Sequence, residues 1–221
     1  MNVLVIGASR GIGLEFVRQY RADGASVTAT ARDDAGLERL RALGATALRL
    51  DVADAASAAG LARQLAGSAF DVAIVNAGIS GDRVTPLDAP SDANFDAVMR
   101  TNVLGPMRVL GPVAEVLAPG ARLAVLSSRM GSIGSRSSAT SWLYRASKAA
   151  LNSVLKDTAL TLGGRAVCVA FHPGWVQTDM GGAGADIDVG TSVAGMRHVI
   201  AALQPDESGV FRNYDGEVIP W

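Results

Sequence analysis

Residues Asn2-Val3-Leu4-Val5-Ile6-Gly7-Ala8-Ser9-Arg10-Gly11-Ile12-Gly13 decide how this chain is read. The apolar run Val3–Ile6 has the character of a strand covered on both faces, and three glycines spaced G-x-x-x-G-x-G follow it directly. Glycine's backbone freedom allows a tight turn and a close approach to a ligand. The helix expected over roughly 12–23 then opens with unpaired N–H groups and the positive end of its dipole. Strand, turn and helix together make a seat for a pyrophosphate. Gly7, Ser9, Arg10, Gly11, Ile12 and Gly13 are in position to line it.

Outward from this unit, short β-rich runs alternate with longer helical stretches. SVTATA (26–31) precedes a helix over roughly 35–43, TALRL (46–50) precedes the alanine-rich 54–66, and DVAIV (71–75) precedes a long helix over roughly 92–117. RLAVLSS (122–128), a helix over roughly 143–162, AVCVAF (166–171), a helix over roughly 190–203 and a last strand near 209–213 continue the pattern. The rhythm predicts an α/β fold: a Rossmann-type doubly wound parallel sheet of about seven strands with helices on both faces. At 221 residues, a single domain spanning 1–221 is expected. Glycine clusters at 131–134 and 181–184 mark loops. Ligands of such a sheet bind in loops beyond the carboxyl ends of its strands.

Composition narrows the function classes. A hydrophobic fraction of 49% with 19% charged residues is that of a globular protein, and a net charge of -1 supplies no field for steering nucleic acid or an anionic membrane. The apolar opening is too short for a secretion signal or a membrane span, so a cytoplasmic location is expected. Cys168 is the only cysteine, which leaves no intramolecular disulfide and no cysteine-rich metal site. His172 and His198 are the only histidines; they are too few for a histidine-based zinc site and give poor support to a Ser-His-Asp hydrolase. No metal is expected.

Further polar groups follow the strands in order: Asp51-Val52, Asn76-Ala77-Gly78, Asn102 within a helix, Ser127-Ser128, Tyr144-x-x-x-Lys148, then Pro173-Gly174, Val176 and Thr178. Singly, each has a bland use. Asp51 can cap a helix, Asn76 can sit in a turn, Asn102 can mark a helix bend, and Pro173-Gly174 can be a simple turn. The Tyr144/Lys148 pair makes chemical sense by itself. Four residues apart, both side chains share one helix face. An ammonium about 4 Å from a phenol contributes on the order of 4 kcal/mol at an effective dielectric near 20 before desolvation costs are subtracted, enough to move a group that titrates near 10 by up to ~3 units. That expectation makes Tyr144 an acid/base for neutral pH.

The glycine spacing and the order of these residues resemble the short-chain dehydrogenase/reductase family. The blocks SSRMGSIG, YRASKAALN, HPGWVQTDMGG and FRNYDGEVIPW, with the long stretch between Ser128 and Tyr144, are similar to its C-factor and sniffer-type carbonyl reductase branch, across essentially the whole chain. The resemblance implies a catalytic set of Asn102, Ser128, Tyr144 and Lys148, with Ser127 in support. It implies that Asp51 and Val52 meet the adenine, that Asn76, Ala77 and Gly78 lie beside the cofactor, and that Pro173, Gly174, Val176 and Thr178 contact the nicotinamide end. The implied reaction moves a hydride between nicotinamide and a small carbonyl or alcohol substrate: Tyr144 gives the proton, Ser128 steadies the oxygen, Lys148 holds the ribose and Asn102 supports a water.

The second strand ends Thr30-Ala31-Arg32, with no acid to bind a ribose 2′-hydroxyl, while Arg32 and Arg10 can clamp a 2′-phosphate. NADP(H) is therefore expected over NAD(H), unless the strand runs on and presents Asp33 or Asp34. Met130, Ile133, Trp142, Trp175 and Met180 flank the catalytic blocks and are candidates for the substrate wall, although core packing would suit them equally. The glycine-rich stretch after Thr178 is a candidate mobile lid. The resemblance also implies a homodimer or homotetramer. A nucleotide-binding signalling or regulatory protein with little turnover is the alternative, motivated by the likeness to C-factor.

Overall fold

The computed structural model describes residues 1–82 and 87–221. Seven parallel strands form its sheet: β1 (Asn2–Ile6), β2 (Ser26–Ala31), β3 (Thr46–Arg49), β4 (Phe70–Val75), β5 (Leu117–Leu126), β6 (Ala166–His172) and β7 (Val210–Asn213), in the spatial order β3-β2-β1-β4-β5-β6-β7. Successive side chains of a strand point to opposite faces, so β1 sends Val3 and Val5 into one core and Leu4 and Ile6 into the other. All four are fully buried. On the first face lie α1 (Gly11–Ala22), α2 (Asp34–Ala42) and α8 (Val189–Ala202), contributing Phe16, Leu40 and Met196 to that core. On the second lie α4 (Leu61–Leu65), α6 (Gly105–Glu115) and α7 (Trp142–Leu162), contributing Leu61, Val113 and Leu155.

Two expected helices are interrupted. The alanine-rich 54–66 divides at Gly60 into α3 (Ala55–Ala59) and α4, because glycine is a poor helix former. The stretch 92–117 becomes α5 (Asp92–Met99), a π-helical turn over Arg100–Leu104, and α6, with β5 already starting at Leu117. Gly105 packs against Val52 so closely that a Cβ would stand 2.8 Å from it, and Asn102 turns inward to bond the chain at Ile79. These inward contacts explain the wider turn. The sheet order reverses direction beside β1, between β2 and β4, so the loops after β1 and β4 part and leave a crevice.

Candidate active site

The glycine-rich turn after β1 is shaped by its backbone. Gly7 and Gly11 have φ of 84° and 53°, and a Cβ on Gly7 would lie 2.8 Å from Ala77. Asn76 Nδ2 donates to the Gly7 carbonyl at 2.6 Å, and the Gly7 N–H donates to Thr30 Oγ1 at 2.9 Å. Gly13 lies behind the turn, where a Cβ would meet the Gly7 carbonyl oxygen at 2.3 Å. Asn76 thus braces the turn, and Gly13 gives it room from behind. Arg10 precedes α1 without a side-chain cap, which leaves the helix's first N–H groups open to an anion.

From this turn a cleft of about 440 Å³ runs to the first turns of α7. Gly7, Ser9, Arg10, Gly11, Ile12, Arg32, Asp51, Val52, Asn76, Ala77, Gly78, Tyr144, Lys148, Pro173 and Thr178 line it. Leu50, Ile79, Thr101, Gln177 and Asp179 line it too, and sequence reasoning missed them. Their only signal was adjacency to the motifs.

Charges at the outer end have specific partners. Asp33 caps α2 by accepting from the Gly36 N–H at 2.7 Å, and Asp34 pairs with Arg49. β2 ends at Ala31, so neither acid takes the place next to the strand. Arg10 reaches across the cleft to Asp179 at 2.7 Å. Arg39, which the sequence did not single out, donates to the Ser9 carbonyl at 2.9 Å and adds a cation beside the turn. Asp51 is partly turned to its own loop, accepting from the Ala53 N–H at 2.9 Å.

At the inner end the two serines separate. Ser127 donates to Asn152 Oδ1 at 2.5 Å beneath α7, while the Ser128 hydroxyl accepts from the Met130 N–H at 3.2 Å and lies near enough to the Tyr144 phenol to act on its titration. Burial pushes the Tyr144 phenol up to about 12, against which the Ser128 hydroxyl acts in the lowering direction. Lys148 is buried, donates to the Leu126 carbonyl at 2.8 Å and is pushed down to about 8 by desolvation. Its ammonium stands 5.7 Å from the centre of the Tyr144 ring. The expected acidification of the phenol by a close ammonium is therefore corrected: burial moves the phenol upward, and the influence that opposes it is Ser128. Asn102 is fully buried, accepts from the Ile79 N–H and donates to the Ile79 carbonyl, both at 2.8 Å, and donates to Ser147 Oγ at 3.0 Å. Both amide protons are committed, so its side chain clasps the loop after β4 to α7.

Beyond β6, Gly174 adopts φ of 86° against Tyr214 and Ile187, and the buried Val176 forms a bridge with Ile187. Thr178 Oγ1 accepts from the Gly181 N–H at 3.1 Å, and Gln177 Nε2 donates to the Ala185 carbonyl at 3.1 Å. The expected mobile lid is a loop fastened by hydrogen bonds. Of the proposed substrate wall, Met180 lines the cleft. Ile133, Trp142 and Trp175 are exposed and are not among the residues lining this cleft, so core packing does not describe them.

The sequence profile of the short chain dehydrogenase family matches residues 1–186. The chain belongs to that family. It is 42% identical over 157 residues to C-signal of Myxococcus xanthus, covering 68% of this chain and 92% of that protein. Carbonyl reductase Sniffer of D. melanogaster superposes with a TM-score of 0.90 at 28% identity, covering 100% of this chain and 99% of Sniffer. A carbonyl reductase from Pseudomonas aeruginosa PAO1 in complex with NADP gives a TM-score of 0.87 at 33% identity, with 100% and 99% covered. This family member is an oxidoreductase with a seven-stranded Rossmann-type sheet. No helix among the described residues is long and apolar enough to cross a membrane.

Proposed function

We propose that residues 1–221 act as one NADP(H)-dependent unit that reduces small carbonyl compounds. One observation carries this reading: Tyr144 and Lys148 lie at the opposite end of the same cleft from the glycine-rich turn. The uncapped start of α1 and the glycine cradle fit a pyrophosphate, and the acids next to β2 are engaged elsewhere, which leaves Arg32 for a 2′-phosphate. Bound NADPH supplies the hydride.

Tyr144 donates the proton to the carbonyl oxygen. Burial keeps the Tyr144 phenol protonated at neutral pH, the form that has a proton to give. Ser128 donates a hydrogen bond to the same oxygen and stabilises charge developing there. Lys148, beside Gly78 and Leu126, is placed to hold the nicotinamide ribose. Asn102 positions the loop that carries Gly78. Ser9, Ile12, Asp51, Val52, Ala77, Pro173 and Thr178 line the remaining cofactor path.

The bound NADP of the Pseudomonas relative supports the cofactor choice, and the carbonyl reductase relatives support the substrate class. Exposed Phe95, Leu104 and Met107 along α5, the π-helical turn and α6 support assembly into a homodimer or homotetramer. The test is steady-state reduction of a panel of aldehydes, ketones and quinones with NADPH. Tyr144→Phe is expected to lower kcat by about 10²- to 10⁴-fold with NADPH binding kept; full activity in that variant overturns the scheme. The likeness to C-signal supports a second reading, a nucleotide-binding signalling protein. NADPH binding without turnover on any carbonyl would favour it.

A further inference from the structure

Ser128 stands just outside the sheet. β5 ends at Leu126, and Ser128 opens a 3-10 turn, Arg129–Gly131, whose Met130 N–H donates to Ser128 Oγ at 3.2 Å. The direction of this hydroxyl therefore depends on where the turn lies. Gly131-Ser132-Ile133-Gly134 has two glycines, so the segment is conformationally loose on its own and must be fixed from outside.

Two surfaces fix it. On the inner side Gly131 lies flat on α7 at Lys148, where a Cβ would stand 2.7 Å from the lysine's carbonyl carbon. On the outer side lie Pro220 and Trp221. The Ile133 and Gly134 N–H groups donate to the Trp221 carbonyl at 2.8 and 2.9 Å. Ser132, with no exposed surface, donates to the Pro220 carbonyl, has the Trp221 carbonyl at 3.2 Å and accepts from the Ser135 N–H at 3.0 Å. Arg129 pairs with Glu217 at 2.5 Å. This tail is itself anchored: the Ile219 N–H donates to the Phe211 carbonyl at 2.8 Å, and the Trp221 ring stacks on Phe211 at 5.6 Å.

We infer that Ser132 and the tail Ile219–Trp221 form a brace that sets the Ser128 hydroxyl against Tyr144. Ser132 is thus a positioning residue for the proton transfer, acting through Ser128. Its kinetic consequence rests on the carbonyl reductase reading; the brace itself is readable without turnover.

The experiment uses full-length protein carrying tyrosine labelled with ¹³C at Cζ. The chain has three tyrosines, and the Tyr144 resonance is the one lost in Tyr144→Phe. Ser128→Ala removes the hydroxyl that acts on the Tyr144 phenol and sets the reference displacement. Ser132→Ala, and the milder Trp221→Ala should Ser132→Ala fail to fold, are expected to move the resonance in the same direction. With NADPH and 4-nitrobenzaldehyde, Ser132→Ala is expected to lose about 10- to 100-fold in kcat, the scale of a small misplacement, with the NADPH Kd within about twofold. In the Ser128→Ala background the same change should add nothing, because the serine it positions is gone. An unmoved Tyr144 resonance, or kcat losses that multiply in the double variant, overturns the brace. Absence of turnover in the unmodified protein refutes the reductase reading alone, and the resonance still decides the brace.

Discussion

Lys148 donates to the Leu126 carbonyl at 2.8 Å, while its ammonium stays 5.7 Å from the centre of the Tyr144 ring. One helix turn brings the two residues together, but the strand end takes the lysine's hydrogen bond. Lys148 is buried and Tyr144 half-buried, and desolvation moves each toward its neutral form.

A dependence of stability on pH follows. Lys148 titrates near 8 when folded and near its ordinary 10.5 when unfolded, so between these values the unfolded chain binds more protons. Its contribution is complete above 10.5 and is lost as pH falls toward 8. The loss at neutral pH is up to about 3 kcal/mol. Lys148→Met should therefore be more stable than the natural chain at pH 7, with the difference shrinking by pH 10, as read by urea denaturation.

His172 produces an acid limb. Burial first, then Arg129, pushes its imidazole down to about 4 from 6.5, and its Nδ1 has no hydrogen-bond partner. The unfolded chain takes up the proton first as pH falls, so stability present above 6.5 is lost on the way down to 4. Urea midpoints measured from pH 7 to 4.5 should fall for the natural chain and stay flatter for His172→Leu.

At the 2′-phosphate end, Arg32 and Arg10 should not be equivalent. Arg32→Ala removes a charge-assisted contact and is expected to lower kcat/KM for NADPH by about 10- to 100-fold, leaving NADH little changed. Arg10 is already paired with Asp179 at 2.7 Å, so Arg10→Ala should cost less. Asp179→Ala frees that guanidinium and should improve NADPH affinity by up to about fivefold, the scale of an exposed ion pair. Steady-state kinetics with both cofactors checks all three.

Gly13→Ala drives a Cβ to 2.3 Å from the Gly7 carbonyl oxygen, which is backbone and cannot rotate away. A loss of about 1–3 kcal/mol or more is expected, together with weaker NADPH binding as the turn shifts. Gly111→Ala is the contrast. Apart from its chain neighbours nothing lies within 4 Å of its Cβ inside α6, but Pro112 follows, and a Cβ before proline disfavours the helical conformation. The propensity gain is offset, and stability should change by less than about 1 kcal/mol. Thermal unfolding and cofactor titration distinguish the two outcomes.

Much of the fold was legible because strand and helix patterns are local. The apolar runs at Val3–Ile6 and Ala166–Phe171, each beginning a strand-to-loop unit, mark buried strands without help from distant residues. The breaks at Gly60 and around Asn102 were harder to read. Alanine content hides the first, and the second is set by Val52 and Ile79, which are far away in sequence. The same division runs through the site. Ordered motifs identified Tyr144, Lys148 and Ser128, but not which of their neighbours would take each hydrogen bond.

By itself the sequence determined the βαβ succession, the glycine turn at the head of α1 and the four-residue spacing of Tyr144 and Lys148, because all are set by residues close together in the chain. Only the tertiary structure decided that Arg10 meets Asp179, that Asn102 spends its amide on Ile79 and Ser147, and that Pro220 and Trp221 close over Ser132. It also decided the protonation of Tyr144 and Lys148. Desolvation depends on everything packed around a group, and no local spacing records what the rest of the chain brings there.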